Sequence, residues 1–258
     1  MAASIKSPSE IAAMRRAGRV VATVLKTLAA SLRPGMTTGE LNRIAEQELK
    51  TLGATSSFKG YHGYPASLCV SVNEEIVHGI PGERVIKNGD LVSLDFGAIV
   101  DGYHGDGAIT VAVGEVGKQA QKLLETTRGA LEAGIAAARA GGHLGDISGT
   151  IQAYAESRGF SVVREYTGHG IGKAMHEEPL VPNYGRVGTG LELKAGMTFA
   201  LEPMLTAGGW RTKVGFDKWV VSTIDNSLAA HFEHTIAVTP RGGEVLTMAD
   251  PIPVGADF

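Results

Sequence analysis

Hydrophobic and polar positions alternate through Leu91-Val-Ser-Leu-Asp95-Phe-Gly-Ala-Ile-Val100, and the alternation resumes after Asp101-Gly102 in Tyr103-His-Gly-Asp106. A two-residue period is the signature of a strand, and Asp-Gly between two such runs is the strongest short-range signal for a hairpin. With Asp101-Gly102 as the loop, Val100 pairs with Tyr103 and Gly97 sits opposite Asp106. Side chains alternate faces along a strand, so Asp95 shares a face with Gly97. Asp95 and Asp106 then point the same way as diagonal neighbours, roughly 7 Å apart at Cα.

A helical period governs four other stretches. Ser7-Pro8-Ser9-Glu10 is a capping box with proline at the first helical position. It opens a helix over about 8–32, with Ile11, Met14, Val20, Val21, Val24, Leu25 and Leu28 on its apolar face. Thr37-Thr-Gly-Glu40 caps a second helix that runs to about Leu52 and stops at Gly53. A third is expected over about 118–140, ending at Gly141-Gly142, and a fourth over about 145–158, ending at Gly159.

The two helix pairs look alike. Arg33-Pro-Gly35-Met-Thr-Thr-Gly39-Glu40-Leu41 matches Arg139-Ala-Gly141-Gly-His-Leu-Gly145-Asp146-Ile147 at an offset of 106. Gly53 and Gly159 keep that offset, and Ile86-Lys87 to Leu94-Asp95 matches Leu193-Lys194 to Leu201-Glu202 at 107. Three matches in order, with one indel, predict a duplicated α+β fold. Its two αα-ββ halves, about 8–110 and 115–240, would form a single domain spanning 1–258 and share one mainly antiparallel sheet. Asp95 and Glu202 then occupy equivalent strand ends, so each half delivers a carboxylate toward the shared axis.

Bulk properties narrow the field. The chain has 258 residues, is 43% hydrophobic and carries a net charge of −3 without a basic block, which argues against a nucleic-acid or anionic-membrane partner. Cys69 is the one cysteine, so there is no disulfide framework, and no apolar run reaches the length of a membrane span. Without a signal-peptide pattern at the N-terminus, a cytoplasmic location is expected.

Two carboxylates on one face repel unless something positive lies between them, and a divalent metal or a pair of them answers that economically. A solvated face with two unrelated acids is the competing reading. Three more segments point to a polar centre: Tyr166-Thr-Gly-His169-Gly-Ile-Gly, Phe199-Ala-Leu-Glu202-Pro and His231-Phe-Glu233-His234-Thr235. Singly, each has an ordinary alternative: His169 as a satisfied core histidine, Glu202 as a strand-end acid, Glu233 on a solvated edge.

Taken together, Asp-x10-Asp, Gly-His-Gly, Leu-Glu-Pro and Phe-Glu-His-Thr closely resemble the methionine aminopeptidase family, dinuclear metalloenzymes with the pita-bread fold. The resemblance runs from Glu10-Ile-Ala-Ala-Met to Glu233-His-Thr-Ile-Ala-Val-Thr239. It includes Tyr61-His-Gly-Tyr64-Pro, Asn73 to Pro81 and His176-Glu-Glu-Pro179. The short type I form is the nearer likeness, because His169 to Glu202 leaves no room for the helical insert of type II.

The resemblance implies five ligands for two divalent ions (Mn, Fe, Co or Zn): Asp95, Asp106, His169, Glu202 and Glu233. Asp106 and Glu233 would bridge the pair, Asp95 would chelate one ion, and His169 and Glu202 would bind the other. A metal-bridging hydroxide would attack the scissile carbonyl, with Glu202 as general base and then acid. His78 would hydrogen-bond the substrate backbone, and His176 the carbonyl oxygen. Phe58, Tyr61, Tyr64, Cys69, Met175 and Trp219 would wall the pocket for a methionine side chain. Phe58 and Met175 depart from the commonest family pattern, where a small residue and phenylalanine stand. His62, His104, His143, His231 and His234 keep structural readings, with His62 and His231 expected nearest the cleft. The implied activity is removal of initiator methionine from nascent chains whose second residue is small and uncharged, at or away from the ribosome, by a monomer. The chain's own start, Met1-Ala2, has such a second residue. The alternatives are an Xaa-Pro aminopeptidase or prolidase, which shares fold and ligands but usually carries an extra N-terminal domain, and a pita-bread scaffold that binds without catalysis.

Overall fold

The computed structural model describes residues 3–248, so the Met1-Ala2 start lies outside the described residues. Among the described residues four α-helices form: α1 Pro8–Ser31, α2 Thr38–Thr51, α3 Lys118–Ala137 and α4 Leu144–Glu156. Capping boxes close the N-termini of α1 and α2, with Glu10 and Glu40 accepting the Ser7 and Thr37 backbone N–H groups at 2.8 and 2.7 Å. At α4, the Asp146 carboxylate accepts the His143 N–H in the same way, at 2.7 Å. α3 ends three residues before the expected Ala140. There the chain leaves the helix to join the sheet: Arg139 bridges Thr239, and the Ala140 N–H bonds the Thr239 carbonyl at 3.0 Å.

The two halves repeat their local design. Gly35 and Gly141 adopt φ of 91° and 89°, and their N–H groups bond Ile86 O and Leu193 O, each at 2.8 Å. Thr37 bridges Val85 as His143 bridges Glu192, and Gly89 and Gly196 have φ of 92° and 88°. Left-handed backbone at these turns is why glycine stands at both copies.

A nine-stranded sheet joins the halves. Its path runs Thr55–Ser56, Leu91–Val100, Tyr103–Ala112, Glu233–Thr239, Thr198–Leu201, Gly168–Gly170, Glu177–Val181, with Cys69–Val72 and Gly242–Val245 on side branches. All its pairings are antiparallel. The hairpin has the expected register, Val100 on Tyr103 and Gly97 on Asp106, with Asp101 and Gly102 at φ of 51° and 75°.

One face of the sheet is covered by helices. Val92, Leu94 and Phe96 pack with Val21, Val24 and Leu28 of α1 and Leu41 of α2. Phe199, Leu201, Ile236 and Val238 pack with Leu131 of α3 and Ile147 and Ile151 of α4. Burial of these apolar faces is the driving term, worth about 1.5–3 kcal/mol per large side chain. It also fixes the register, because a one-residue slip would turn each carboxylate toward the helices. α1 approaches so closely that a Cβ on Gly105 would lie 2.9 Å from Gly18 N.

The candidate ligands therefore occupy the opposite face. Asp95 is paired with Ala108, and Ala108 with Glu233. Leu201 pairs with His234 and Met204 with His231, so one register runs on either side of a two-residue break that sets Glu202 opposite Glu233. Pro203 has no N–H to offer, and at this break the strands leave the large sheet for a three-stranded one. The alternation in His231-Phe-Glu233-His234-Thr235-Ile-Ala-Val reads as one strand, with Glu233 and Thr235 on one face; Phe232 interrupts it, and His231 belongs to the smaller sheet.

Candidate metal centre and substrate pocket

Asp95, Glu233 and Glu202 thus form a row across the sheet, with Asp106 two residues from Ala108 on the same face. His169 pairs with Ala200, two residues before Glu202. This placement brings ligand atoms of Asp106, His169 and Glu233 within 4.8 Å of one another. His169 Nε2 lies 3.6 Å from Glu202 Oε1 and 4.0 Å from Asp106 Oδ2.

Four buried carboxylates together are costly. Burial, reinforced by the Asp106 charge, pushes Asp95 well above the usual carboxylate range. Burial raises Asp106 to about 7, and burial with the neighbouring carboxylates raises Glu202 and Glu233. Asp95 Oδ1 and Glu233 Oε1 are buried with no hydrogen-bond partner. His169 Nδ1 lies 2.8 Å from the Gly170 carbonyl, which can only accept, so Nδ1 carries the proton. Burial holds this ring neutral, with a pKa of about 3. Nε2 therefore aims a lone pair at carboxylate oxygens, an arrangement that is repulsive as it stands and favourable with a cation between. Orphaned carboxylate oxygens and a tautomer fixed by the far ring nitrogen are what a metal site requires. The residues fit divalent metal.

Thr235, on the same face as Glu233, supports Asp106: its hydroxyl accepts the Asp106 N–H at 2.9 Å and donates to the Asp106 carbonyl at 2.8 Å.

A cavity of about 230 Å³ opens on this centre. Its lining includes all five candidate ligands together with His78, His176, Phe58, Tyr61, Tyr64, Cys69, Met175 and Trp219. The candidate ligands, the two candidate catalytic histidines and the candidate pocket walls thus meet in one place, and His62 joins them. Phe58 and Met175 are both core and wall, packed with Tyr64, Ala66 and Cys69. Phe58 has room because Gly97 lacks a Cβ, which would fall 2.7 Å from its ring. The Tyr64 hydroxyl donates to Leu68 O or Gly79 O, at 3.1 and 2.9 Å. Burial first, then Asp95, raises the Cys69 thiol, so it remains protonated and serves as a wall.

His78 sits at φ 63° before Gly79, edge-on to Tyr166 and Trp219 at 5.8 and 6.4 Å between ring centroids. Burial lowers it to about 4, so it is neutral near pH 7. His176 lies against His169 with centroids 4.0 Å apart, and its Nδ1 is 2.7 Å from the Tyr61 hydroxyl. A phenol that donates to Nδ1 leaves the proton on Nε2, which makes that nitrogen a donor.

The remaining histidines divide. His104 Nδ1 bonds Ser57, and His234 Nδ1 bonds Thr247. His231 was expected beside the cleft but is not part of its lining. It is 1% exposed, with Nε2 3.7 Å from Glu233 Oε2, because its strand turns into the small sheet behind the ligand row. Asp101 is a turn residue paired with Arg16. Thr235 and Lys6, whose Nζ lies 2.6 Å from Glu177 Oε2, were not assigned roles from the sequence; the β-spacing with Glu233 was the available signal for Thr235.

Comparisons with known proteins agree with this geometry. The profile of Metallopeptidase family M24 matches residues 12–240. A methionine aminopeptidase 1 of Bacillus subtilis is 50% identical over 242 residues, covering 94% of this chain and 98% of that protein. The crystal structure of a methionine aminopeptidase from Thermotoga maritima superposes with a TM-score of 0.94 at 46% identity, over 96% of this chain and all of that one. An Xaa-Pro dipeptidase from Bacillus anthracis has a TM-score of 0.75 at 28% identity, and only 61% of it is covered. The α+β architecture is therefore the pita-bread fold, and the chain belongs to metallopeptidase family M24, among its methionine aminopeptidases.

Proposed function

We propose that this protein removes N-terminal methionine from polypeptides whose second residue is small and uncharged, working on nascent chains in the cytoplasm. The observation that carries the reading is the meeting, in one cavity, of a buried carboxylate–histidine cluster with orphaned oxygens and a narrow apolar, thioether-compatible pocket. The described halves act as one catalytic domain, with each half contributing a strand-end acid. No described helix is long and apolar enough to cross a membrane.

Asp95, Asp106, His169, Glu202 and Glu233 would hold two divalent ions, whose charge four carboxylates offset. Bound ions supply Lewis acidity: they bring the pKa of a water toward neutrality and polarise the scissile carbonyl. Glu202, 14% exposed at its side chain, faces the cavity and would take the water's proton and return it to the departing amine. His176, held by Tyr61 with its proton on Nε2, donates to the carbonyl oxygen as negative charge develops there. His78, neutral near pH 7 and on the cavity lining, would hydrogen-bond the backbone after the scissile bond. Phe58, Tyr64, Met175 and Trp219 exclude water from the methionine side chain.

Protein freed of metal and supplied with Mn(II) or Co(II) should cleave Met-Ala-Ser and leave Ala-Pro-Pro intact. The reverse preference would establish an Xaa-Pro aminopeptidase, and cleavage of neither peptide a binding scaffold.

A further inference from the structure

Outside the cavity, Lys6 is held by several contacts at once. The residue is 8% exposed, an unusual burial for lysine, and Nζ lies 2.6 Å from Glu177 Oε2. Ser4 Oγ donates to the same oxygen at 2.7 Å and also touches Lys6 Nζ. The segment that carries Lys6 is itself fixed: its backbone N–H bonds Gly196 O at 2.8 Å, and Ile5 bridges Met197 at the foot of the strand that ends beside Glu202.

Glu177 opens the strand that returns from the loop between Gly170 and His176. It pairs with Gly170, next to His169. Its second oxygen, Oε1, accepts the Ala174 N–H at 3.3 Å. Gly172 closes the loop, with its N–H on Ala174 O at 3.1 Å and its carbonyl accepting the His104 N–H at 2.8 Å. A Cβ on Gly172 would fall 2.5 Å from both Lys6 Cε and Glu177 Oε1, so the backbone there is drawn against the ion pair. This loop presents Met175 to the pocket and His176 to the metal centre.

Building on the function proposed above, we infer that the Lys6–Glu177 pair is a positioning device that locks the Gly172–His176 loop, so that His176 Nε2 meets the reacting carbonyl. Lys6 and Glu177 do not line the methionine cavity and act through His176. Lys6 is buried and Glu177 partly so, and loss of either partner leaves the other charge uncompensated, so the loop shifts to solvate it. A displacement near 1 Å at a reacting group can lower turnover about 100-fold.

The test uses the metal-loaded full chain with Met-Ala-Ser, and compares Lys6→Met, Lys6→Arg and Glu177→Gln in the native and His176→Ala backgrounds. Lys6→Met and Glu177→Gln should each lower kcat by about 10-fold or more, with KM and Mn(II) affinity within about 2-fold of native. Lys6→Arg, which keeps the charge, should restore most of kcat. In the His176→Ala background, Lys6→Met should cost no further kcat, because residues acting through one group are not additive. If Lys6→Met fails to fold, Glu177→Gln, nearly isosteric and still bonded to Ser4, carries the same comparison. One readout needs no turnover: in 15N-histidine NMR spectra the His176 Nδ1 signal should shift in Lys6→Met. Native kcat in both variants, additive loss with His176→Ala, or an unmoved His176 signal would overturn the inference. Absence of Met-Ala-Ser cleavage by the native protein would instead count against the proposed function.

Discussion

Metal affinity should fall steeply as pH drops below 7, and the structure says by how much. Burial raises the Asp106 carboxyl from 3.8 to about 7 in the metal-free protein. Below about 7 the folded protein therefore keeps a proton that a metal must displace. The sign follows from the direction of the shift: the raised carboxylate is fully available above its folded pKa and progressively blocked beneath it. His169, held to about 3, is neutral throughout this window and adds no penalty. For Asp106 alone, apparent affinity is reduced about 33-fold near pH 5.5 and about 1.3-fold near pH 7.5, a ratio of about 25 or roughly 2 kcal/mol. Asp95, Glu202 and Glu233 are raised as well, so their protons act in the same direction. Titration calorimetry with Mn(II) at the two pH values measures the ratio. Repeating it in buffers of different ionisation enthalpy counts the protons released, expected to be about one or more near pH 6. Equal affinity at the two pH values, with no proton release, would refute the buried-carboxylate account.

Other outcomes follow from the same geometry. Glu202→Gln should lower kcat by about 100- to 10,000-fold, while His169→Ala should lose metal and activity together; calorimetry beside a Met-Ala-Ser assay separates the two. Gly105→Ala should drive α1 from the hairpin, costing about 1–3 kcal/mol in chemical denaturation. Phe58→Ala should widen the pocket, so that kcat/KM for peptides with bulkier first residues rises relative to Met-Ala-Ser; an unchanged ratio would remove Phe58 from the wall.

The hairpin was legible to the residue because Asp101-Gly102 admits one loop and the alternation admits one register. The starts of α1 and α2 were legible from capping boxes, whose partners lie three residues apart. Local signals failed where distant chain decides. α3 stops early because Ala140 bonds Thr239, and the strand from His231 breaks where Pro203 interrupts its partner. For the site, the duplicated acids Asp95 and Glu202 pointed to a shared centre before any fold was known. The burial of His231 and the Lys6–Glu177 pair were not legible, since their contacts span sequence separations that no motif encodes.

The central claim, that the two halves converge on one dinuclear metal site, is tested most directly by anomalous diffraction at the manganese edge from crystals grown with Mn(II). Two peaks about 3.5–4 Å apart are expected among Asp95, Asp106, His169, Glu202 and Glu233. Peaks elsewhere, or none at full occupancy of the solution titration, would contradict it.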